Sequence, residues 1–179
     1  LRALIDVEPA EVVEAGCILI ANPEDFGHFT MKSVALVYEH NTAGSKAVCL
    51  DRGTPFTIGE MASADFGALT DNRLYRGGED GGSAALVIHP YSIDGSKPVG
   101  NTGLSVGGIR AASELASSGL APKEHFKFFF NYMSWPVGGI EEQVAKGKWQ
   151  LARLPNDIIL NQASDWDLEL WCVCVCDLM

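Results

Sequence analysis

The apolar positions of this chain fall into short runs separated by turn residues, a pattern that predicts strands interleaved with helices. Apolar runs bounded by Asn, Pro or Gly, which are typical of buried strands, occupy residues 17–21, 33–38, 47–50, 73–75 and 84–89. The turn-rich segment 41–46 separates the second run from the third. These two runs are therefore predicted to form a hairpin.

Helical spacing is clearest in residues 109–118, where apolar residues recur on one face and Gly119 follows as a stop signal. The aromatic run 126–132 predicts a strand, and Trp149 opens an alternating segment that predicts another. Between them, residues 140–146 predict a helix with acidic residues in its first turn. The pattern of two segments is compatible with more than one structure. Residues 58–69 could form a short helix or an irregular segment, and residues 91–102 could form a loop or a wide hairpin.

The C-terminal tail has an ambiguous pattern. Leu168, Trp171 and Val175 could line a helix, whereas the alternating Cys and Val residues at 172–176 could form a strand. We favour a helix over residues 164–179. Residues 1–179 are then predicted to form a single α+β domain around a coiled mixed β-sheet with flanking helices, with residues 1–15 as an N-terminal extension.

The composition of the chain restricts the classes of partner that it is expected to bind. The chain has 179 residues, of which 47% are hydrophobic, enough for one domain with a substantial core. Thirteen Lys and Arg residues stand against 23 Asp and Glu, a formal net charge of -10, and there is no dense basic block. Phosphate backbones would be repelled, so nucleic-acid binding is disfavoured and a basic protein surface is the better partner.

Cysteine usage and hydropathy indicate the compartment. Five cysteines is an odd number, and Cys17 and Cys49 lie in apolar runs, so we expect a reducing compartment. No run approaches the roughly 18 apolar residues of a membrane span, although peripheral association with a membrane complex fits the chain. The sequence begins at Leu1, which indicates either a removed targeting segment or an omitted start.

An ordered set of residues carries a family resemblance over most of the chain from residue 16 onward. It comprises Gly16, Leu19, Ile20, Ala21, Pro23, Ser33, Val34, Glu39, His40, Arg52, Gly77, Gly78, His89, Trp135, Gly138 to Glu142, and Trp149. Together these residues resemble the AlgH/YqgE-like family. The segment from Phe126 to Trp135 is more similar to the plant and algal plastid branch than to the bacterial one.

The resemblance implies a compact α+β fold with a coiled mixed sheet and helices packed against it. It implies little about mechanism, because the family has no agreed enzymatic activity and its bacterial members are associated with regulation. The plastid resemblance implies the chloroplast stroma, or the stromal side of a membrane complex, after removal of a targeting segment. A cytoplasmic location is the alternative.

This chain also departs from the family pattern. Asp51, Arg52 and Gly53 stand where relatives have Asn, a basic residue and Pro; Glu79 replaces Pro after the Gly pair; and Asn131 and Ser134 replace glycines. Glycine at such positions allows a positive φ or close backbone approach, so the altered loops change a surface. The apolar anchors remain. We interpret this as a protein kept for its shape and surface more than for a reaction.

The candidate chemistry is sparse. His40 could act as a base for the thiol nucleophile of Cys49 across the hairpin, and His89 could bind a ligand. However, Glu39 and His40 point to opposite faces of a strand, and free Cys is usually packed in a core. The favoured interpretation is a buried Cys49 and a hydrogen-bonded structural His89. The tail thiols at 172, 174 and 176 lack zinc-ligand spacing, so core packing is favoured over a metal site there.

We therefore predict no catalytic residue, no cofactor and no metal. The glycine-rich segment 77–82 lacks the lysine that a phosphate loop needs. Trp135 and Trp149 are expected to anchor helix 140–146, while alternation places Phe129 on the face opposite Phe128 and Phe130, where it could contact a partner. The predicted binding residues are Glu39, His40, Arg52, Gly77, Gly78, His89, Phe129 and Trp135.

Three functional hypotheses follow. The first is a non-catalytic binding or assembly protein, such as a peripheral subunit of a plastid complex. The second is a small-molecule enzyme, hydrolase-like, that uses His40, Cys49 or His89. The third is a regulator, as the bacterial relatives suggest. We prefer the first, because the acidic charge conflicts with nucleic-acid binding and no nucleophile and base are assembled by the sequence pattern.

Overall fold

Residues 7–24 and 29–162 are described by the computed structural model, and within them the chain forms eleven strands and four short α-helices. The strands are β1 Glu8–Pro9, β2 Ile18–Ala21, β3 Val34–Asn41, β4 Gly44–Cys49, β5 Gly53–Thr57, β6 Arg73–Arg76, β7 Asp80–His89, β8 Ser96–Pro98, β9 Ser105–Gly107, β10 Lys127–Trp135 and β11 Trp149–Arg153. The helices are α1 Ile58–Met61, α2 Ile109–Ser117, α3 Gly139–Ala145 and α4 Asn156–Leu160. Two 3-10 turns, Gly67–Leu69 and Lys123–His125, complete the elements.

Strand β10 holds the sheet together. The strand order is β1-β11-β2-β3-β4-β10-β7-β9-β8, and β6 and β5 extend from β10 on a side branch. All neighbours are antiparallel except β6 and β10, which are parallel. The predicted fold class, a single α+β domain with a mixed sheet, is therefore confirmed.

The two halves of β10 pair with different strands. Phe128 to Phe130 lie between β6 and β7, whereas Met133 to Trp135 pair with β4. The register shifts between Phe130 and Tyr132, and the intervening Asn131 has a φ of 58°. Asn tolerates this left-handed conformation better than most residues, so the bend forms without a glycine at this position.

Gly77 and Gly78 fit against this bend. Gly77 donates its N–H to the Phe130 carbonyl and accepts from the Cys49 N–H, so the chain passes between β4 and β10. A Cβ on Gly77 would overlap the Asn131 carbonyl oxygen, and one on Gly78 would overlap the Tyr132 carbonyl group. The Gly pair is needed for close backbone approach.

Alternation along β2 and β3 divides the core in two. Ile18 and Leu36 pack in one cluster with Phe129 and Tyr75, while Leu19 packs in a second cluster on the other face. A third cluster lies under α2, where buried Ala112 and Ala116 of the helix pack with residues of β6, β7 and β10. Because both faces are covered along β2 and the first part of β3, residues 18–21 and 34–38 are apolar and buried, whereas the exposed end of β3 is polar.

Lys127 is a buried cation in this core. Its Nζ donates to the carbonyl oxygens of Leu50 at 3.0 Å, Ile159 at 3.2 Å and Asn161 at 2.9 Å. It also lies 4.3 Å from the centroid of the Tyr75 ring. The ammonium group thus joins the end of β4 to α4.

The predicted strands and the helices at 109–118 and 140–146 are confirmed within a residue or two at most ends. Segment 58–69 contains both α1 and a 3-10 turn, and segment 91–102 contains β8, which forms a hairpin with β9 just beyond the segment. Residues 7–15 are more than an extension, because β1 pairs with β11. The predicted helix over 164–179 lies outside the described residues. Among the described helices, none has the length and apolarity to cross a membrane.

Candidate functional site

A cleft of about 200 Å³ opens between the second half of β10, α3 and the turn at residues 29–30. We call it the tryptophan cleft. Its walls include Phe29, Asp80, Ser134, Trp135, Gln143 and Trp149. Strand β10 contributes Met133, Ser134 and Trp135 to the cleft, and Trp135 contacts α3 through Gln143.

One amide oxygen organises the cleft. Gln143 Oε1 accepts a hydrogen bond from Trp135 Nε1 at 3.0 Å and another from Trp149 Nε1 at 2.7 Å. An indole nitrogen can only donate, and this one oxygen satisfies both indole N–H groups. Trp149 is almost fully buried, and Ile140 of α3 is buried beside it. The expectation that both tryptophans anchor this helix is confirmed.

Asp80 lies at the mouth of the cleft. Its Oδ2 accepts from the Ser134 backbone N–H at 2.9 Å and from the Ser134 hydroxyl at 2.8 Å. Both bonds use one oxygen, and Oδ1 accepts no hydrogen bond within the described ranges. Asp80 therefore lines the cleft, as Trp135 does, with one carboxylate oxygen not engaged by Ser134.

Arg52 supports the opposite wall. Its Nη2 donates to the carbonyl oxygens of Met31 and Phe29 and, at 2.9 Å, to the Ser33 hydroxyl. The Arg76 guanidinium lies 4.8 Å from the centroid of the Phe29 ring. Arg52 was predicted as a binding residue, but the structure makes it a positioning residue that holds the 29–33 turn.

Next to Arg52, the Asp51 carboxyl is buried. Its Oδ1 accepts from the Val34 N–H at 3.3 Å, and its Oδ2 lies 3.5 Å from Arg52 Nη1. Burial raises the pKa of Asp51 to about 6, although the guanidinium of Arg52 opposes the shift. The support of the turn therefore includes a carboxyl group whose pKa is raised by burial.

His40 links the β3–β4 hairpin to α3. Its Nδ1 is 2.8 Å from the Ser45 hydroxyl, and its Nε2 is 3.6 Å from Glu141 Oε1. These three residue types suggest a hydrolytic triad, but Ser45 is only 2% exposed. A buried hydroxyl cannot reach a substrate, so the cluster is a structural tie. Glu39 instead pairs with Lys46, 3.3 Å away.

The three residues proposed for an enzyme do not come together. His40 is opposite Ser45 in the hairpin register, whereas Cys49 is opposite Ala35 near the other end. Cys49 is fully buried against Met133, and burial raises the pKa of its thiol. A thiol in that setting stays protonated at neutral pH.

His89 is fully buried in another part of the core. Its Nδ1 accepts from the Tyr91 N–H at 3.3 Å, so Nε2 carries the proton and donates to the Gly107 carbonyl at 3.0 Å. Burial lowers its pKa. His89 is therefore a hydrogen-bonded structural residue and is not exposed for ligand binding.

Two further binding candidates need correction. Phe129 is fully buried against Tyr75, because the face opposite Phe128 and Phe130 is covered by the first core cluster. Gly77 and Gly78 act through backbone packing against β10. In the described ranges, no group of three or more His, Cys, Asp or Glu side chains is arranged to hold a metal.

Sequence reasoning missed Asp80, Phe29 and the role of Gln143. Gln143 follows buried Ile140 by three positions, so both lie on the inner face of α3, and a lone amide there between two tryptophans was a usable signal. Asp80 and Ser134 are 54 positions apart, and nothing in the sequence indicates their contact. Of the predicted residues, Trp135 lines the cleft and Arg52 supports it.

A wider groove of about 630 Å³ runs between His125 and α4 and reaches Gln162, where the described range ends. None of the predicted site residues lines it. The tryptophan cleft is therefore the concave site that joins the sequence candidates to the fold.

Comparisons with known proteins agree with this architecture. A family model described as AlgH-like matches residues 18–173. A UPF0301 protein of Pelodictyon phaeoclathratiforme is 29% identical over 160 residues, covering 88% of this chain and 84% of the relative.

Two solved structures are similar. A crystal structure from Corynebacterium diphtheriae has a TM-score of 0.74 at 18% identity and covers 92% of this chain and 86% of that one. The solution structure of the AlgH protein from Pseudomonas aeruginosa has a TM-score of 0.70 at 17% identity and covers 90% and 88%. At these identities the structures show a shared fold.

Proposed function

Because this chain belongs to the AlgH-like family, we propose that it is a non-catalytic binding or assembly protein and that a protein partner docks at the tryptophan cleft. The observation that carries the proposal is the cleft itself, in which half-buried Trp135 is held in place by Gln143. Buried aromatic anchors at fixed positions are typical of protein-binding hot spots.

The size of the cleft supports a partner side chain as its occupant. Its volume is about 200 Å³, below the range of roughly 300–1,000 Å³ that is usual for pockets that enclose a whole small ligand. One side chain fits such a space, while the rest of the partner would cover the surrounding surface.

Two exposed apolar side chains stand close to cleft residues along the chain. Val137, in the turn between Trp135 and α3, is 67% exposed, and Met31, in the turn held by Arg52, is 42% exposed. Apolar side chains beside an aromatic pocket are typical of a docking face.

An enzymatic role is disfavoured, because His40, Cys49 and His89 lie in separate environments and two of them are fully buried. A nucleophile and its base must be within hydrogen-bond reach of each other, and these residues are not so placed.

We also propose that the protein works in the chloroplast stroma or on the stromal side of a membrane complex. This part rests on the similarity of the segment from Phe126 to Trp135 to plastid relatives. Imaging of the full-length protein with a C-terminal fluorescent tag in the source cells tests it, and a purely cytoplasmic signal would contradict it.

Co-purification of tagged variants tests the docking role. Val137→Asp places a charge two positions after the cleft residue Trp135, whereas Leu120→Asp makes a similar change at a 76% exposed position remote from the cleft residues in the sequence. We expect a stoichiometric partner with the native protein and with Leu120→Asp, and its loss with Val137→Asp. A complex that survives Val137→Asp, or a partner-free monomer that turns over a metabolite, would contradict the proposal.

A further inference from the structure

The charges around Trp135 are unevenly paired. Three cations near the cleft have carboxylate partners: Arg76 pairs with Glu79, Lys46 with Glu39, and Lys146 with Glu142. A fourth cation, Lys148, lines the cleft itself together with Glu79, and its Nζ is directed to the Trp149 ring. Asp80 and Glu141 have no Lys or Arg partner within the described ranges. Asp80, at the start of β7, lines the cleft, whereas Glu141, in the first turn of α3, lies beside His40.

The aromatic rings here already receive cations from the chain itself. The Arg76 guanidinium lies over Phe29 at 4.8 Å, and the Lys148 Nζ is 6.0 Å from the Trp149 ring centroid. Tryptophan is the best aromatic acceptor for such a contact. Trp135 is half-buried, lines the cleft, and has its N–H bound to Gln143, so its orientation is set before any ligand arrives.

Resting on the docking role above, we propose that the tryptophan cleft takes an arginine side chain of a basic protein partner. A guanidinium group that stacks on the Trp135 ring can donate to Asp80 Oδ1 from its edge. The net charge of -10 favours the approach of a basic surface.

Arginine suits the cleft better than lysine. A guanidinium is planar and weakly hydrated, so it stacks on an indole face while donating in its own plane, whereas an ammonium is a compact and strongly hydrated charge. An anionic occupant would meet the Asp80 carboxylate, which is held toward the cleft by its two bonds to Ser134.

NMR spectroscopy of the ¹⁵N-labelled protein tests the inference through the four indole N–H signals. Trp135→Phe and Trp149→Phe assign the two signals from the cleft. The probe is N-acetyl-arginine methylamide, and the matched neutral probe is N-acetyl-citrulline methylamide. We expect the arginine probe to shift the Trp135 signal with a dissociation constant on the order of millimolar, and 0.5 M NaCl to weaken binding several-fold.

Asp80→Asn removes the charge but keeps an oxygen that can accept from Ser134, so the cleft should stay assembled. We expect it to weaken binding of the arginine probe at least fivefold. Glu114→Gln is the control, because Glu114 is an exposed carboxylate that pairs with Arg110 on α2. It should leave the titration unchanged.

The outcomes separate this inference from the docking role. If the arginine probe leaves the Trp135 signal in place, or citrulline binds equally well, the arginine site is wrong even when Val137→Asp releases a partner. If the probe binds through Asp80 but Val137→Asp keeps the complex, the arginine site stands and the docking role fails.

Discussion

Replacing Gln143 with Leu tests whether one amide oxygen holds the cleft together. The side chains have similar size, but Leu cannot accept hydrogen bonds from the two indole N–H groups. Trp149 is 2% exposed, so its N–H would lose its partner without access to water. A buried unsatisfied donor costs about 1–3 kcal/mol.

Trp135 contributes a smaller loss. Because this side chain is half-buried, water can replace Gln143, and the net loss is that of an ordinary hydrogen bond, about 0.5–1.5 kcal/mol. Together the two losses predict that Gln143→Leu lowers the free energy of unfolding by about 1.5–4.5 kcal/mol. This is a large part of the 5–15 kcal/mol that is typical of a domain.

Urea denaturation followed by far-UV circular dichroism measures the change. Gln143→Glu keeps an oxygen acceptor and should stay within about 1 kcal/mol of the native protein. Gln150→Leu makes the same Gln-to-Leu change at an exposed position of β11 and should alter stability by less than about 0.5 kcal/mol. A Gln143→Leu protein as stable as Gln150→Leu would refute the reasoning.

Three further changes test the fold around the cleft. Gly78→Ala would overlap the Tyr132 backbone and should cost more than about 3 kcal/mol or prevent folding, whereas Gly82→Ala has open space and should cost about 1 kcal/mol for its positive φ; thermal melts compare them. Asp51 has its pKa raised to about 6 from 3.8, so the folded state binds its proton more tightly than the unfolded state. Its contribution to the free energy of unfolding is thus highest below pH 4, falls by up to about 3 kcal/mol as the pH rises to 6, and is constant above pH 6. Asp51→Asn should remove this pH dependence of stability when urea denaturation is measured at each pH. An unchanged pH dependence would assign it to another group. Asn131→Gly keeps the φ of 58° accessible and should change stability by less than about 1 kcal/mol, whereas the β-branched Asn131→Val should cost more. Equal urea midpoints for the two variants would show that the bend imposes no backbone strain.

The predicted hairpin shows what local pattern can establish. Residues 33–38 and 47–50 were identified as strands because their apolar residues are continuous and a Gly-containing turn separates them. The helix at 109–118 is likewise predicted from a local signal, the helical spacing of its apolar residues. Such signals lie within a few residues, so a single sequence contains them.

The face assignment at Phe129 shows where this reasoning stops. Alternation correctly separated Phe129 from Phe128 and Phe130, and the structure places them in different core clusters. The alternation does not determine whether the face that carries Phe129 meets solvent or a core, because that depends on which distant strands cover the face. Exposure is a long-range property, and the predicted docking face was therefore buried.

The sequence by itself determined the family, the α+β class, most of the strands, and the anchoring of α3 by Trp135 and Trp149. These depend on period, order and spacing along the chain. Only the tertiary structure decided that Asp80 would meet Ser134 at the cleft and that His40, Cys49 and His89 would lie apart. The physical reason is that β10 changes its pairing partners at Asn131, and each partner strand comes from a distant part of the chain.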